Sequence, residues 1–344
     1  MNTDRNAGNR SFHGDRLITL PGPGTLSAAT ALPDRGGGRL ASAARCYIIP
    51  PRMTKREFLA GSIGAGLALA TGRAARAQQI TLTGGARVPA RKAKTTKLFK
   101  SPPGFPNGVS ATAEGLWIGE QKLSGAQAAQ YHLPEQKDLR EAAWLVDWDG
   151  KLLKTVMTPS RNTSGMAVGG GYVWMVANAP PEGVFQVDMD SKLVSHRQIP
   201  LGPKNDGGGC HGAMWQDGKL WIASLRLRGN LRVDPKTWEP EFMIPFYQAP
   251  DRTRYHDIAW DSGSIWQIVG NDCTRYADYR PALVRYDAAT GKVLETVDFL
   301  PGSCDPHGLT MHDGKLISCD AGIHPNWPNN DSPTAGWIFR IDFV

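Results

Sequence analysis

The chain has 344 residues, of which 41% are hydrophobic and 21% are charged, and its formal net charge is +7. Residues 1–77 hold 11 of the 39 basic residues and 4 of the 32 acidic ones, so this segment carries the whole net charge. The remainder is neutral overall, which excludes a general electrostatic attraction to nucleic acid or to an acidic membrane surface.

Three segments precede the expected folded domain. Residues 1–52 are rich in Gly, Ala, Pro and Arg without periodicity, which predicts a disordered extension, or one absent from the natural protein if translation begins at Met53. Residues 53–77 combine a Lys-Arg pair, an apolar stretch and Ala-Arg-Ala, which is typical of an export signal and similar to a twin-arginine signal. Residues 78–94 follow as a linker. The apolar stretch is too short for a permanent membrane anchor, so we expect a periplasmic or secreted protein.

One spacing recurs five times after residue 100. A polar residue is followed ten residues later by a large apolar residue. The five pairs are Asn107 and Trp117, Ser164 and Trp174, His211 and Trp221, His256 and Trp266, and His307 and Ile317. The units start 45 to 57 residues apart, which is the period typical of propeller blades. We call the five polar residues the polar ring.

Each unit also reads as four short strands. Asp-Gly joins the first two apolar runs in two units and favours a tight hairpin. A second hairpin follows, whose turn begins in four units at an aspartate that we expect to accept turn amides: Asp147, Asp188, Asp234 and Asp287. The pattern predicts an all-β protein with a five-bladed β-propeller over residues 95–344. We expect strand 95–100 to complete the last blade, and a sixth blade within residues 78–106 stays an alternative.

Four cysteines follow the export signal, namely Cys210, Cys273, Cys304 and Cys319. Because an exported protein meets oxidising conditions, an even number of cysteines favours disulfides, with three connectivities open. Buried free thiols are the alternative.

Propeller topology predicts one functional face. The first strand of each blade begins, and the second ends, on the same side, where the long insertions 121–142, 271–281 and 321–336 also fall. We call this side the insertion face. The quasi-symmetry of the blades aims His211, His256 and His307 at a common axis there. Three neutral imidazoles are typical ligands of a divalent metal, and they are equally suited to metal-free general base and oxyanion roles.

Further candidates lie on the insertion face. Glu120 and Asp320 share one register and are candidate acid–base or metal groups, or loop caps. The candidate substrate-binding residues are Asn107, Arg226, Asn271, His324 and Trp327. Asp257 follows His256 directly, so strand alternation predicts that its side chain points away from the axis and is structural.

The segments SGMAVGGGYVWMVAN, HGAMWQDGKLWIAS and PHGLTMHDGKLISCD resemble the blades of the streptogramin lyase-like (virginiamycin B lyase-like) propellers. The resemblance covers the repeats over residues 105–343. It implies an elimination that opens an ester with a His and a divalent metal, and His211, His256 and His307 match that placement. The five-unit count is also similar to plant-type glutaminyl cyclases, whose Glu-rich blade openings are absent here.

Two functions follow as hypotheses. The first is an exported lyase or hydrolase that acts on a small organic ester, lactone or ether at the polar ring, with a divalent metal as the expected cofactor. The second is a non-catalytic propeller that binds a ligand or a protein partner. Neither hypothesis includes nucleic acid as a partner.

Overall fold

The computed structural model describes residues 47–48, 88–122, 138–178, 180–201, 209–249, 252–270, 280–320 and 336–344. These residues belong to one compact unit that spans Ala41–Val344. All their regular secondary structure is β-strand. No helix in this described part is long and apolar enough to cross a membrane.

The first three blades are antiparallel sheets of four consecutive strands. Blade 1 consists of β3 (Phe105–Thr112), β4 (Gly115–Gln121), β5 (Glu141–Val146) and β6 (Leu152–Thr158). Blade 2 consists of β7 (Thr163–Gly169), β8 (Tyr172–Ala177), β9 (Gly183–Asp188) and β10 (Leu193–Arg197). Blade 3 consists of β11 (Cys210–Gln216), β12 (Lys219–Ser224), β13 (Gly229–Val233) and β14 (Pro240–Pro245). A two-residue strand, β1 (Tyr47–Ile48), pairs with the outer edge of β14.

The last two blades share a strand from the start of the domain. Blade 4 consists of β15 (Arg254–Asp261), β16 (Ser264–Gly270), β17 (Pro281–Asp287) and β18 (Val293–Phe299). Blade 5 consists of β19 (Leu309–His312), β20 (Lys315–Cys319), β21 (Trp337–Phe343) and β2 (Ala90–Lys100). Strand β2 pairs antiparallel with β21, and its first residues also pair parallel with β18. The described chain therefore forms five blades, and the predicted closure by the N-terminal strand is confirmed.

The turns that join the first two strands explain why the repeat folds this way. Asp217 and Gly218 both have positive φ, as do Asp313 and Gly314, so the Asp-Gly pairs form the tight hairpins that they predict. The aspartates at the second hairpins accept backbone amides of their own turns, as Asp147 does from Asp149 and Lys151. These short turns occupy the face opposite the insertion face.

The core lies between blades. The apolar end of each repeat packs into the interface with the next blade, and its members are Trp117, Trp174, Trp221, Trp266 and Ile317. All five are buried. A large side chain at a constant distance from the polar ring therefore sets the spacing of the blades, and burial of its apolar surface stabilises the ring of sheets.

Candidate functional site

The polar ring lies at the entrance of the innermost strands. These strands contact one another in the order β3, β7, β11, β15, β19 and back to β3. In blades 1 to 4 the register of the first two strands shifts at the polar-ring residue, as it does at Asn107 and Ser164. Such a bulge re-aims a side chain and commonly occurs next to functional sites. The bulges therefore release these residues from regular strand geometry.

The three imidazoles meet, as the quasi-symmetry predicts. The ring centroids of His211 and His256 are 4.5 Å apart, and those of His256 and His307 are 4.7 Å apart. His256 thus contacts both of the other rings, and it is itself buried.

His211 is held neutral in a defined tautomer. Its Nδ1 lies 2.7 Å from the carbonyl oxygen of Tyr255 and donates to it, so Nε2 is the acceptor and faces the side-chain amide of Asn178. Burial lowers the pKa of His211 to about 4, the Tyr255 hydrogen bond acts against this, and Arg254 adds to the lowering. The imidazole is therefore uncharged near pH 7.

His307 belongs to a buried ionic cluster that we call the Arg254 triad, consisting of Arg254, Asp305 and His307. Arg254 Nη2 donates to His307 Nε2 at 2.9 Å, and Arg254 Nη1 lies 3.4 Å from a carboxylate oxygen of Asp305. His307 Nδ1 faces the other carboxylate oxygen at 3.5 Å. Burial raises the pKa of Asp305, and the charge of Arg254 acts against this shift. The triad places a guanidinium directly beside the polar ring.

Sequence reasoning missed Arg254 and Asp305. Each lies two residues before a histidine of the polar ring, in neighbouring blades. Two residues of opposite charge at the same repeat position in adjacent blades indicate an ion pair between the blades, and the sequence alone shows this pattern.

The side of the ring formed by blade 1 has neutral partners. Asn107 donates from Nδ2 to Gln121 Oε1 at 2.7 Å, and its buried Oδ1 has no hydrogen-bond partner among the described residues. Glu120 accepts the amide of Ala142 at 2.9 Å. Burial raises the pKa of Glu120, while Lys122 acts against this.

Glu141 is a second buried carboxyl that sequence reasoning missed. It accepts the hydroxyl of Thr163 at 2.5 Å, the hydroxyl of Ser160 at 3.1 Å and the amide of Lys122 at 2.8 Å. Burial raises the pKa of Glu141 to about 7, and these hydrogen bonds limit the shift.

The predicted direction of the Asp257 side chain is wrong. Its carboxylate does not point away from the ring but accepts amides of Ala213 in blade 3 and Leu309 in blade 5. The register shift in β15 falls between Tyr255 and Ile258, so counting side chains alternately along this strand gives the wrong direction.

The remaining candidates are placed as follows. Asp320 is fully buried after β20, and its amide donates to Trp337 O at 2.9 Å. Arg226 lies partly exposed in the turn after β12, on the insertion face. The other three candidates lie outside the described residues, and they are Asn271, His324 and Trp327.

The side chains as they stand do not form a metal centre. Among the described residues, no three His, Cys, Asp or Glu side chains are grouped so that they could hold a metal ion. Both nitrogens of His211 face protein groups, and Arg254 puts positive charge at His307 Nε2. The expected divalent metal would have to displace these protein partners, and it stays a prediction that metal analysis can test.

The predicted pair of disulfides is wrong. Cys210 and Cys319 are buried free thiols, whereas two disulfides among four cysteines require both to be bonded. Burial raises the pKa of each thiol above its usual range. Cys319 instead accepts the amide of Gly308 at 3.3 Å and donates to Pro106 O at 3.4 Å. Cys273 lies outside the described residues.

Comparisons with known proteins name no family for this chain. No family model and no curated protein matches the chain. Glutaminyl cyclase of Myxococcus xanthus has a TM-score of 0.45 at 12% identity, covering 74% of this chain and 99% of that one. An inactive virginiamycin B lyase from Staphylococcus aureus with quinupristin has a TM-score of 0.36 at 14% identity, covering 70% and 66%. A nidogen/laminin complex has a TM-score of 0.39 at 11% identity, covering 62% and 72%.

The predicted likeness to the lyase-like propellers is present among these matches, at low identity. At such identities and TM-scores it carries no argument about the reaction, because propellers of one architecture host unrelated functions. The function has to be inferred from the site itself.

Proposed function

We propose that this protein is an exported enzyme, periplasmic or secreted, which acts as a lyase or hydrolase on a small organic ester, lactone or ether at the polar ring. The observation that carries the proposal is the contact of three imidazoles from consecutive blades. Each ring alone is compatible with a structural role. Three rings in contact at the insertion face, beside a buried guanidinium, are suited to moving a proton while negative charge is stabilised.

In this proposal His256 is the general base. Its ring lies between the other two imidazoles and contacts both of them, so a proton taken up by His256 is shared with neighbouring rings. In elimination, His256 takes a proton from the carbon next to a carbonyl group, a carbon–carbon double bond forms, and the neighbouring carbon–oxygen bond breaks. In hydrolysis of an ester or lactone, the same base takes the proton of a water whose oxygen bonds to the carbonyl carbon, the carbon–oxygen bond to the leaving group breaks, and the leaving oxygen receives the proton. Arg254 stabilises the developing negative charge in both cases.

Asn107 binds substrate in this proposal. Its buried Oδ1 lacks a hydrogen-bond partner among the described residues, and an unmade hydrogen bond of a buried oxygen is costly. A hydroxyl or amide of a bound molecule would satisfy it. Glu120 is the candidate acid, since its raised pKa favours a protonated carboxyl.

The test is a panel of lactones, esters and aryl ethers incubated with the protein and with His256→Ala. We expect turnover to fall at least 100-fold in the variant, which is the usual scale of general base catalysis. Ser164→Ala is the matched control, because Ser164 holds the same repeat position in blade 2 and its hydroxyl makes, among the described residues, only a 3.4 Å hydrogen bond to Asn162 O. Full turnover by a folded His256→Ala variant would contradict the proposal. Product mass separates hydrolysis, which adds water, from elimination.

The alternative is a non-catalytic propeller that binds a ligand or a protein partner. The observation that favours it is the engagement of His211 and His307 by protein groups, which leaves these two rings less suited to chemistry. Metal content of the purified protein, the effect of a chelator on the melting temperature, and ligand binding without turnover across the panel discriminate between the two.

A further inference from the structure

One position of the repeat holds the same residue in four of the five blades and a different one in blade 4. The residue after each polar-ring residue is glycine in blades 1, 2, 3 and 5, and aspartate in blade 4. A Cβ added to Gly165 would lie 2.5 Å from Gly212 Cα, and one added to Gly212 would lie 2.5 Å from Asp257 Cα. Likewise, a Cβ on Gly308 would lie 2.7 Å from the carbonyl carbon of Gly108. The innermost strands therefore approach one another backbone to backbone around the axis.

Asp257 brings a fully buried carboxylate into this centre. Its Oδ1 accepts the backbone amides of Ala213 at 2.9 Å and Ile258 at 3.0 Å, and its Oδ2 accepts that of Leu309 at 3.0 Å. The amide of Val109 is a fourth donor. The four donors belong to the innermost strands of blades 1, 3, 4 and 5. One side chain thus joins strands that otherwise meet through glycine.

The four donors also have a fixed relation to the polar ring. Each lies two residues after one of its members, which are Asn107, His211, His256 and His307. The carboxylate therefore fixes the backbone beside all three imidazoles. Burial raises the pKa of Asp257, and the amide hydrogen bonds act against this shift. Four N–H donors that converge on one place need an acceptor, and a carboxylate is acceptor-only.

We propose that the innermost amides form an anion-binding cradle at the centre of the propeller, with Asp257 as its built-in occupant and as the positioning residue for the three imidazoles. Oriented backbone amides form anion sites elsewhere in proteins, where the ligand is separate from the chain. Without the aspartate, this cradle takes a small carboxylate such as formate. The cradle binds its occupant and positions the imidazoles whether or not the protein catalyses a reaction.

The test uses Asp257→Gly, which gives blade 4 the residue of the other blades and empties the cradle. We expect a lower melting temperature and altered Hε1 resonances of the polar-ring histidines. Added sodium formate should raise the melting temperature by several degrees more than sodium chloride of the same concentration, since a ligand that binds the folded state stabilises it. The histidine resonances should return toward those of the natural protein at the same formate concentrations.

Asp257→Asn is the matched control, because its side chain fills the cradle but turns an N–H toward one of the amides. We expect it to be destabilised and not to be rescued by formate. If Asp257→Gly does not fold in buffer, the yield of refolding with formate against chloride is the readout. Equal effects of formate and chloride on Asp257→Gly, or an Asp257→Asn variant with natural stability and natural histidine resonances, overturn the inference.

Discussion

The two sides of the polar ring bury polar side chains with different kinds of partner. Blades 1 and 2 bury Asn107 and Glu141 against neutral partners, mainly amides and the hydroxyls of Thr163 and Ser160. Blades 4 and 5 bury an ion pair, Arg254 with Asp305, next to two imidazoles. Burial raises the pKa of both carboxyls to about 7, but the charge of Arg254 acts against the shift at Asp305, whereas the hydroxyls and amides that bond Glu141 are neutral. The two sides therefore differ in whether a cation lies beside the buried carboxyl.

The substitution with the largest expected effect on this difference is Arg254→Gln. The change leaves Asp305 buried without its cation, and loss of one partner of a buried ion pair costs about 4 kcal/mol. We expect this loss of unfolding free energy at pH 8 and a smaller one at pH 5, because Asp305 can then take up a proton. Denaturant titrations at both pH values measure it. Arg161→Gln, at an exposed position beside blade 2, should change stability by no more than about 0.5 kcal/mol. Similar losses for the two variants would show that the ion pair is unimportant.

The neutral side is tested by Glu141→Gln. The pKa of Glu141 is raised from 4.5 to about 7, so the folded state favours the protonated form. The contribution of Glu141 to stability is therefore full below about pH 4.5 and is lost as the pH rises toward 7. Glutamine does not titrate. As the pH rises between these values, the unfolding free energy of the variant should therefore increase relative to that of the natural protein by up to about 3 kcal/mol. A stability difference that does not change with pH would contradict this assignment. Urea unfolding at pH 4.5 and pH 8 gives the comparison.

The smallest expected loss of stability concerns a feature that both sides share, the close approach of the innermost strands at glycine. Gly165→Ala in blade 2 and Gly308→Ala in blade 5 both place a Cβ against backbone of the next innermost strand. We expect each to cost about 2 kcal/mol, since overpacking at this level forces the backbone to move. Gly171→Ala is the control, because its Cβ meets open space and only its φ of 85° opposes the change, at about 1 kcal/mol. Thermal unfolding of the three variants shows whether the innermost strands approach one another equally closely in blades 2 and 5. A cost confined to one side would restrict it to that half of the ring.

The repeat made most of the fold predictable. A constant ten-residue spacing fixes both the strand entrance and the residue that fills the next interface, so His211 and Trp221 were placed correctly by the same pattern. The closure by residues 95–100 also followed, because blade 5 lacked a fourth strand. The pairing of β2 with β18 was not predictable, since it depends on how far the strand extends toward its N-terminus.

The site was less predictable, and the reason is local backbone geometry. Side-chain direction was inferred from strand alternation, and the register shifts at the polar ring break that alternation. Asp257 was therefore assigned to the wrong side. Arg254 and Asp305 are harder to recognise because the repeat holds a different residue at this position in each blade, so only their opposite charges mark them. The disulfide expectation failed because cysteine count says nothing about where each thiol is buried.

The closure by β2 has a consequence for how the molecule reaches its final form. Strand β2, which completes the last sheet, is translated before the other strands of the five blades, so it stays unpaired until the edges of its partners β18 and β21 have been made. A strand of the same sequence from a second molecule fits these edges equally well. At high concentration during refolding, exchange of this strand between molecules competes with closure within one chain.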